Sequence, residues 1–244
     1  MDMRLIPKKN NQKKNNKTKN MAATDYSKRT TLKQAFTNNV FKLFTDVCGG
    51  DPKEFANELY SKFTVEDFAY GDDMYYWGVI EYFNLTVIPH KIEVYKAGME
   101  FFNIPQLQHF FNESTKQEFI KNLWLHDLSK FSANEAFGYA CYNRKTGSGK
   151  TGFERSWHHH KMNNPHHPEY WLNPNRSGEL EPISMPKIYI LEMIADWIGA
   201  GKTYGSTLEE WLPENIDKFK FANQREVAEM ILMATGIDIN SYKK

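Results

Sequence analysis

From about residue 31 onward the apolar positions recur at helical spacing, and few segments alternate with the period of a strand. Phe36, Val40 and Phe44, at steps of four, predict a helix over 31–47, and similar spacing predicts another over 52–63. Between Asp72 and Asn84 the aromatic residues Tyr75, Tyr76, Trp77, Tyr82 and Phe83 suit a helix or a short strand. Pro89 occupies a position where a first helical turn tolerates proline, and His90, Val94, Ala97 and Phe101 follow on one face, so a helix is predicted to about Asn103. Phe119, Leu123, His126, Asp127 and Lys130 fall on one side of what reads as a single helix, and Leu125 and Leu128 suggest that it is largely buried. Residues 143–181, rich in Gly, Asn, Pro and His, read as a long irregular loop or a pair of short helices, and such a loop in a compact domain is usually functional. A further helix is predicted from Pro186 through Ile188, Leu191, Ala195 and Ile198 to a stop at Gly199 and Gly201, and a last one near 222–235. The expectation is an all-α helical bundle over residues 32–244, preceded by a tail.

Composition narrows the class. With 41% apolar and 15% aromatic residues in 244, the chain can bury a sizeable core, which a disordered protein cannot. No uninterrupted apolar run approaches about 18 residues, so no membrane partner is expected. Two cysteines, Cys48 and Cys141, indicate neither a disulfide framework nor a thiolate metal site. Lysines stand where a signal peptide needs an apolar stretch, and an intracellular location is expected: the cytoplasm, or the host cytoplasm or virion for a viral chain. The net charge of +1 hides an asymmetry, because residues 1–31 carry nine Lys/Arg against Asp2 and Asp25. That arm is expected to be disordered, and its charge suits contact with nucleic acid. Lysine outnumbers arginine 25 to 6, a bias common in AT-rich genomes such as those of large viruses.

The candidate chemistry lies in polar residues set inside apolar helices. His126-Asp127 sits in Leu-His-Asp-Leu and Asp196 in Ile-Ala-Asp-Trp, with His90 in a third helix. Unpaired burial of such groups costs several kcal/mol, and a divalent metal supplies the missing partner. Mixed nitrogen and carboxylate donors suit Zn, Mn, Fe or Co without choosing among them. Gly147-Ser148-Gly149-Lys150-Thr151 ends like a phosphate-binding loop, but the stretch Tyr142 to Arg144, where the first glycine of that motif would stand, holds none. It reads instead as a flexible loop near the pocket.

The order His, His-Asp, distant Asp on successive helices resembles the HD superfamily of metal-dependent phosphohydrolases. His126-Asp127-Leu128-Ser129-Lys130-Phe131, Trp157-His158-His159-His160, Asn164-Pro165-His166-His167 and Glu192-Met193-Ile194-Ala195-Asp196-Trp197 resemble an uncharacterised branch found in bacteria, phages and large DNA viruses. The likeness spans roughly residues 85–205. It implies that His90, His126, Asp127 and Asp196 hold one metal. Relatives with two metals recruit further histidines between the His-Asp pair and the last Asp. A second ion would then take His159 or His160 and His166 or His167, with Asp127 bridging. Five of the eight histidines lie in residues 158–167.

The implied activity is hydrolysis of a small, nucleotide-sized phosphomonoester or phosphodiester. Asp127 would orient water or accept its proton, and Lys130 would grip the anionic substrate. His158, with Trp157 as a stacking surface, would complete the substrate side. Some relatives place an acidic proton-transfer residue where Lys130 stands, and two-iron oxygenases of the same fold carry lysine there, so oxygen chemistry is the alternative enzyme reading. A nucleic-acid-associated or virion protein that works through the basic arm is the alternative from another class.

Overall fold

The computed structural model describes residues 82–143 and 149–242. The tail, the expected helices at 31–47 and 52–63, and most of the aromatic segment 72–84 lie outside the described residues. Among the described residues the chain is an all-α bundle with one two-stranded hairpin.

Helix α1 (Ile88–Glu100) continues from a π-helical turn, Phe83–Val87, rather than starting freely at Pro89. Proline lacks an N–H and crowds the carbonyl four residues back, and the wider turn leaves room for it. Helix α2 (Glu113–Leu125) begins at Asn112, whose side chain accepts from the Thr115 N–H at 3.0 Å. The predicted single helix through Lys130 is not formed. The chain leaves helical geometry at His126, Asp127 takes a left-handed conformation (φ 56°), and a 3-10 turn, Leu128–Phe131, follows. Asp and Asn enter that region at lower cost than other side-chain-bearing residues, and Asp127 is the one described residue other than glycine with positive φ.

Most of the predicted loop is ordered. After α3 (Ala133–Asn143), helix α4 spans Gly149–Asn163, fifteen residues where the sequence suggested a loop or two short helices. Its first turn contains Gly149, Lys150 and Thr151, so this end of the glycine-rich stretch is helix. The two helices pack closely: a Cβ on Gly138 of α3 would meet the Gly152 carbonyl oxygen of α4 at 2.5 Å. A 3-10 turn (Pro168–Trp171) then leads into an antiparallel hairpin of β1 (Leu172–Pro174) and β2 (Leu180–Pro182).

Helix α5 (Lys187–Tyr204) is the central element, with twelve buried residues. The Asn223 side chain bonds both the N–H and the carbonyl of Met185, tying the approach to α5 to the entry of α7 (Gln224–Thr235). Between them α6 (Leu208–Asn215), not foreseen in the sequence, is opened by a reciprocal Thr207–Glu210 capping box. Contrary to expectation, α5 runs through Gly199 and Gly201 and ends at Gly205 (φ 83°). Gly199 permits close approach instead: a Cβ there would lie 2.7 Å from the Val94 backbone nitrogen and 2.9 Å from its Cα on α1.

Two apolar clusters result. The larger joins α1, α2, α5, α6 and α7; the smaller gathers Tyr82, Phe83, Ile88, Leu128, Phe131 and Tyr139. His90 on α1 and the His126-Asp127 break lie along the seam between them. No helix among the described residues is long and apolar enough to cross a membrane.

The α1–α5 contact makes a prediction. Alanine is favoured over glycine in a helix by about 1 kcal/mol, yet at Gly199 it must push the α1 backbone away. Gly199→Ala is expected to lose about 1–3 kcal/mol, the usual cost of overpacking, in a denaturant titration. A stabilised variant would contradict the close approach.

Candidate metal centre

Five elements bring their polar residues to one place. His90 comes from α1, His126 and Asp127 from the break after α2, His160 from α4, His166 and His167 from the turn after α4, and Asp196 from α5. All but His167 are buried, and His167 is half-buried. The break is what lets two consecutive residues serve one centre, because neighbours on a continuous helix point about 100° apart.

Two ligand sets share Asp127. On the first side, His90 Nε2 lies 2.9 Å from Asp196 Oδ1, His126 Nε2 lies 3.3 Å from the same oxygen, and both nitrogens are 3.6 Å from Asp127 Oδ2. On the second, His160 Nε2 and His166 Nε2 lie 3.2 and 3.4 Å from Asp127 Oδ1, and His167 Nε2 is 2.8 Å from His160 Nε2. Donors bound to a common ion at about 2.0–2.2 Å stand about 2.8–3.6 Å apart in octahedral or tetrahedral geometry. The distances given for each set fall within that spread, and Asp196 adjoins the first set through His90 and His126. Asp127, His160, His166 and His167 form one group able to hold a metal ion, and His90, His126 and Asp127 form another.

Hydrogen bonds on the far sides of the rings prepare the donors. Glu192, one turn before Asp196 on α5, has Oε1 3.1 Å from both His126 Nδ1 and His166 Nδ1. With a proton on each Nδ1, both rings present Nε2 lone pairs to the centre, and these two buried atoms have no hydrogen-bond partner. Asp127 Oδ1 is likewise unpartnered, as is His90 Nδ1 on the outer side of its ring. Glu135 of α3 acts similarly on α4: its two oxygens lie 2.7 Å from His159 Nδ1 and 2.8 Å from His160 Nδ1. Orphaned buried nitrogens and a buried carboxylate oxygen, held at ligand spacing, fit a divalent cation better than they fit a self-satisfied core.

Charge explains the directions of titration. Burial opposes ionisation of Asp127, but Lys130, His126, His160 and His166 outweigh it and hold the carboxyl well below the usual carboxylate range. Asp196 is held down in the same way by His126 and His90, again against burial. Burial would lower His126, yet Asp127, Asp196 and Glu192 raise it to about 9. Burial dominates at His90, and at His167 burial and the neighbouring His166 and His160 act together; both are pushed down. Lys130 Nζ is 2.9 Å from Asp127 Oδ2 and lies over the Tyr139 ring; burial opposes its charge, but Asp127 keeps it protonated well above the ordinary lysine range.

The centre forms the floor of a pocket enclosing about 510 Å³ of empty space, open solvent included. Lys130, Trp157, Glu169, Tyr204 and Phe219 are among its walls. Not every sequence candidate converges here. His159 is partly exposed and occupied by Glu135, so within the 159/160 pair it is His160 that faces Asp127. Both His166 and His167 reach the centre, one more histidine than expected. His158 is exposed and does not line the pocket, whereas Trp157 does. Sequence reasoning missed Glu135, Glu192 and Lys91. Only Glu192 left a signal, a charged residue inside an apolar helix four positions before Asp196.

Lys91 supports the break from behind. Fully buried, its ammonium donates to the Trp124 carbonyl at 3.1 Å and to the His126 carbonyl, placing a cation at the C-terminus of α2.

A family described as of unknown function (DUF5662) matches residues 79–235, which includes every residue of this centre. No curated protein and no solved structure matches the chain.

Two predictions arise from this geometry. Lys91→Met strips the α2 carbonyls of their donor; it is expected to cost about 1–3 kcal/mol of stability and to weaken manganese binding in a titration of the folded variant. Unchanged stability and affinity would contradict the role. The second concerns pH in metal-free protein. A histidine raised to about 9 adds stability that is whole below 6.5 and lost as pH rises through 9, while the lowered His90 and His167 lose theirs as pH falls below 6.5. Metal-free stability should therefore peak near pH 6.5, and metal, which replaces the His126 proton, should abolish the alkaline decline. Denaturant midpoints at pH 5.5, 6.5 and 9 measure this; a flat metal-free profile from 6.5 to 9 would contradict it.

Proposed function

We propose, for a chain that belongs to this family of unknown function, that it is a metal-dependent phosphohydrolase of the HD type. The observation that carries the reading is Asp127: each of its oxygens faces a separate set of buried donors, and Lys130 stands beside it at the pocket floor. His90, His126, Asp127 and Asp196 would hold one ion, and Asp127, His160, His166 and His167 a second. A divalent transition metal held there would polarise a phosphoryl oxygen and lower the pKa of a water from about 15.7 towards about 7.

The chain's own residues supply the rest. Glu192 and Glu135 fix the tautomers of three ligand histidines, so the donors are set before any substrate arrives. Lys130 carries a permanent positive charge into the pocket and is placed to bind a phosphoryl oxygen and stabilise the charge that grows on it. Trp157 and Tyr204 wall the pocket above that floor. The substrate side thus combines a cation with flat apolar surfaces, which suits a phosphate ester of nucleotide size.

Hydrolysis of p-nitrophenyl phosphate and of nucleoside monophosphates, tested with Mn, Co, Fe and Zn, is the assay. Asp127→Ala should lose bound metal and all turnover. Lys130→Ala should keep its metal but raise KM about ten- to hundredfold, the effect of losing a charged hydrogen bond of about 1.5–3 kcal/mol. Full activity in Asp127→Ala would refute the assignment. Iron-loaded wild type inactive on every phosphoester would transfer the site to oxygen chemistry.

A further inference from the structure

A second hollow adjoins the metal pocket, and Pro168, Glu169 and Phe219 line both. These residues form a rim that a ligand longer than the inner pocket must cross. The outer hollow spans about 470 Å³ of empty space, open solvent included, and its remaining lining is Leu172, Leu180, Lys218 and Lys220.

The outer wall is arranged rather than incidental. Phe219 is extended (φ −97°, ψ 141°), which sends Lys218 and Lys220 to the same side. Lys218 Nζ donates to Asn215 Oδ1 at 2.6 Å, which restrains its side chain. The Phe219 ring is stacked on Trp197 at 5.6 Å between centroids and packed on Trp211, so the rim is anchored in the core. Positive charge stands at both ends of the path, Lys130 at the inner end and two lysines at the outer. A phosphate is welcomed at each end. The portion of the ligand between them must present a flat, uncharged face to Phe219 and Pro168. A nucleoside has those properties.

We infer that the preferred substrate is a nucleotide chain end carrying two phosphates on either side of one nucleoside, such as a 5′-phosphorylated dinucleotide. The scissile diester lies over Asp127 and the terminal phosphate lies between Lys218 and Lys220. This inference rests on the hydrolase reading. In the reaction the oxygen of water bonds to phosphorus and the P–O bond to one ester oxygen breaks with its electron pair. That oxygen takes one of the water's protons and leaves as an alcohol. The other proton stays on the new monoester or passes to solvent.

Binding separates the two claims. Metal-loaded protein is titrated calorimetrically with a dithymidine dinucleotide joined by a hydrolysis-resistant phosphorothioate, with and without a 5′-phosphate. The phosphate is expected to tighten binding at least about tenfold, or about 1.4 kcal/mol. In Lys218→Ala/Lys220→Ala, which alters only exposed side chains, the gain should vanish while the affinity for the unphosphorylated dinucleotide and the turnover of p-nitrophenyl phosphate stay unchanged. Equal affinity for the two dinucleotides, no binding of either, or a preference that survives in the double variant would overturn the inference. Turnover of p-nitrophenyl phosphate together with equal affinities would leave the hydrolase reading standing. The phosphate-dependent gain without turnover of any ester would sink the hydrolase reading alone.

Discussion

Burying four carboxylates, Asp127, Glu135, Glu192 and Asp196, along one seam of a helical bundle is the constraint on which this structure turns. Each would be expelled to water unless matched, and the match comes from histidines and Lys130 drawn from separate elements. Asp127 is the hinge of that arrangement. It occupies the left-handed region, and the chain break it creates aims His126 and Asp127 at the same centre. Lys91 holds the carbonyls on the near side of the break, and the Asp127 carbonyl accepts from the Lys130 N–H on the far side. Helices that pack tightly elsewhere, α1 on α5 and α3 on α4, keep the two halves of the ligand set from relaxing apart.

The electrostatics give the centre its direction. His126 and His166 share the single oxygen Glu192 Oε1, and His159 and His160 divide the two oxygens of Glu135. Protons are thereby kept on the outer nitrogens, and the His126 and His166 lone pairs point inward at positions where the bundle offers them nothing to bind. A protein that needed only to satisfy its own core would close those atoms on one another. Instead His126 Nε2 and His166 Nε2, with the bridging carboxylate, stand at the separations of ligands around an ion. In the metal-free state the cost is met partly by protonation of His126, so cation and proton compete for one nitrogen.

Much of this was legible in the sequence. Polar residues placed inside apolar helices marked His90, His126, Asp127 and Asp196, because burial cost makes such residues conspicuous. The all-α class followed from apolar spacing of three and four. What escaped depended on backbone geometry and on distance in the chain. A periodicity argument extends a helix through His126-Asp127-Lys130 because nothing in those side chains announces a left-handed residue. Gly199 looked like a stop because close packing against Val94 is invisible without the partner helix. Within 159/160 the choice needed Glu135, which lies 24 residues from His159 and forms no motif with it. The hairpin and α4 were hidden by composition, since Gly, Asn and His are weak helix formers that tertiary contacts override.

The central claim is that the shared Asp127 joins two cation sites, and metal stoichiometry tests it most directly. Elemental analysis of tag-free protein, after loading with manganese or zinc and exhaustive buffer exchange, should give two equivalents per chain. Asp127→Ala should fall below one while its circular dichroism remains helical. A wild type that retains no metal, or an Asp127→Ala variant that retains as much as wild type, would contradict it.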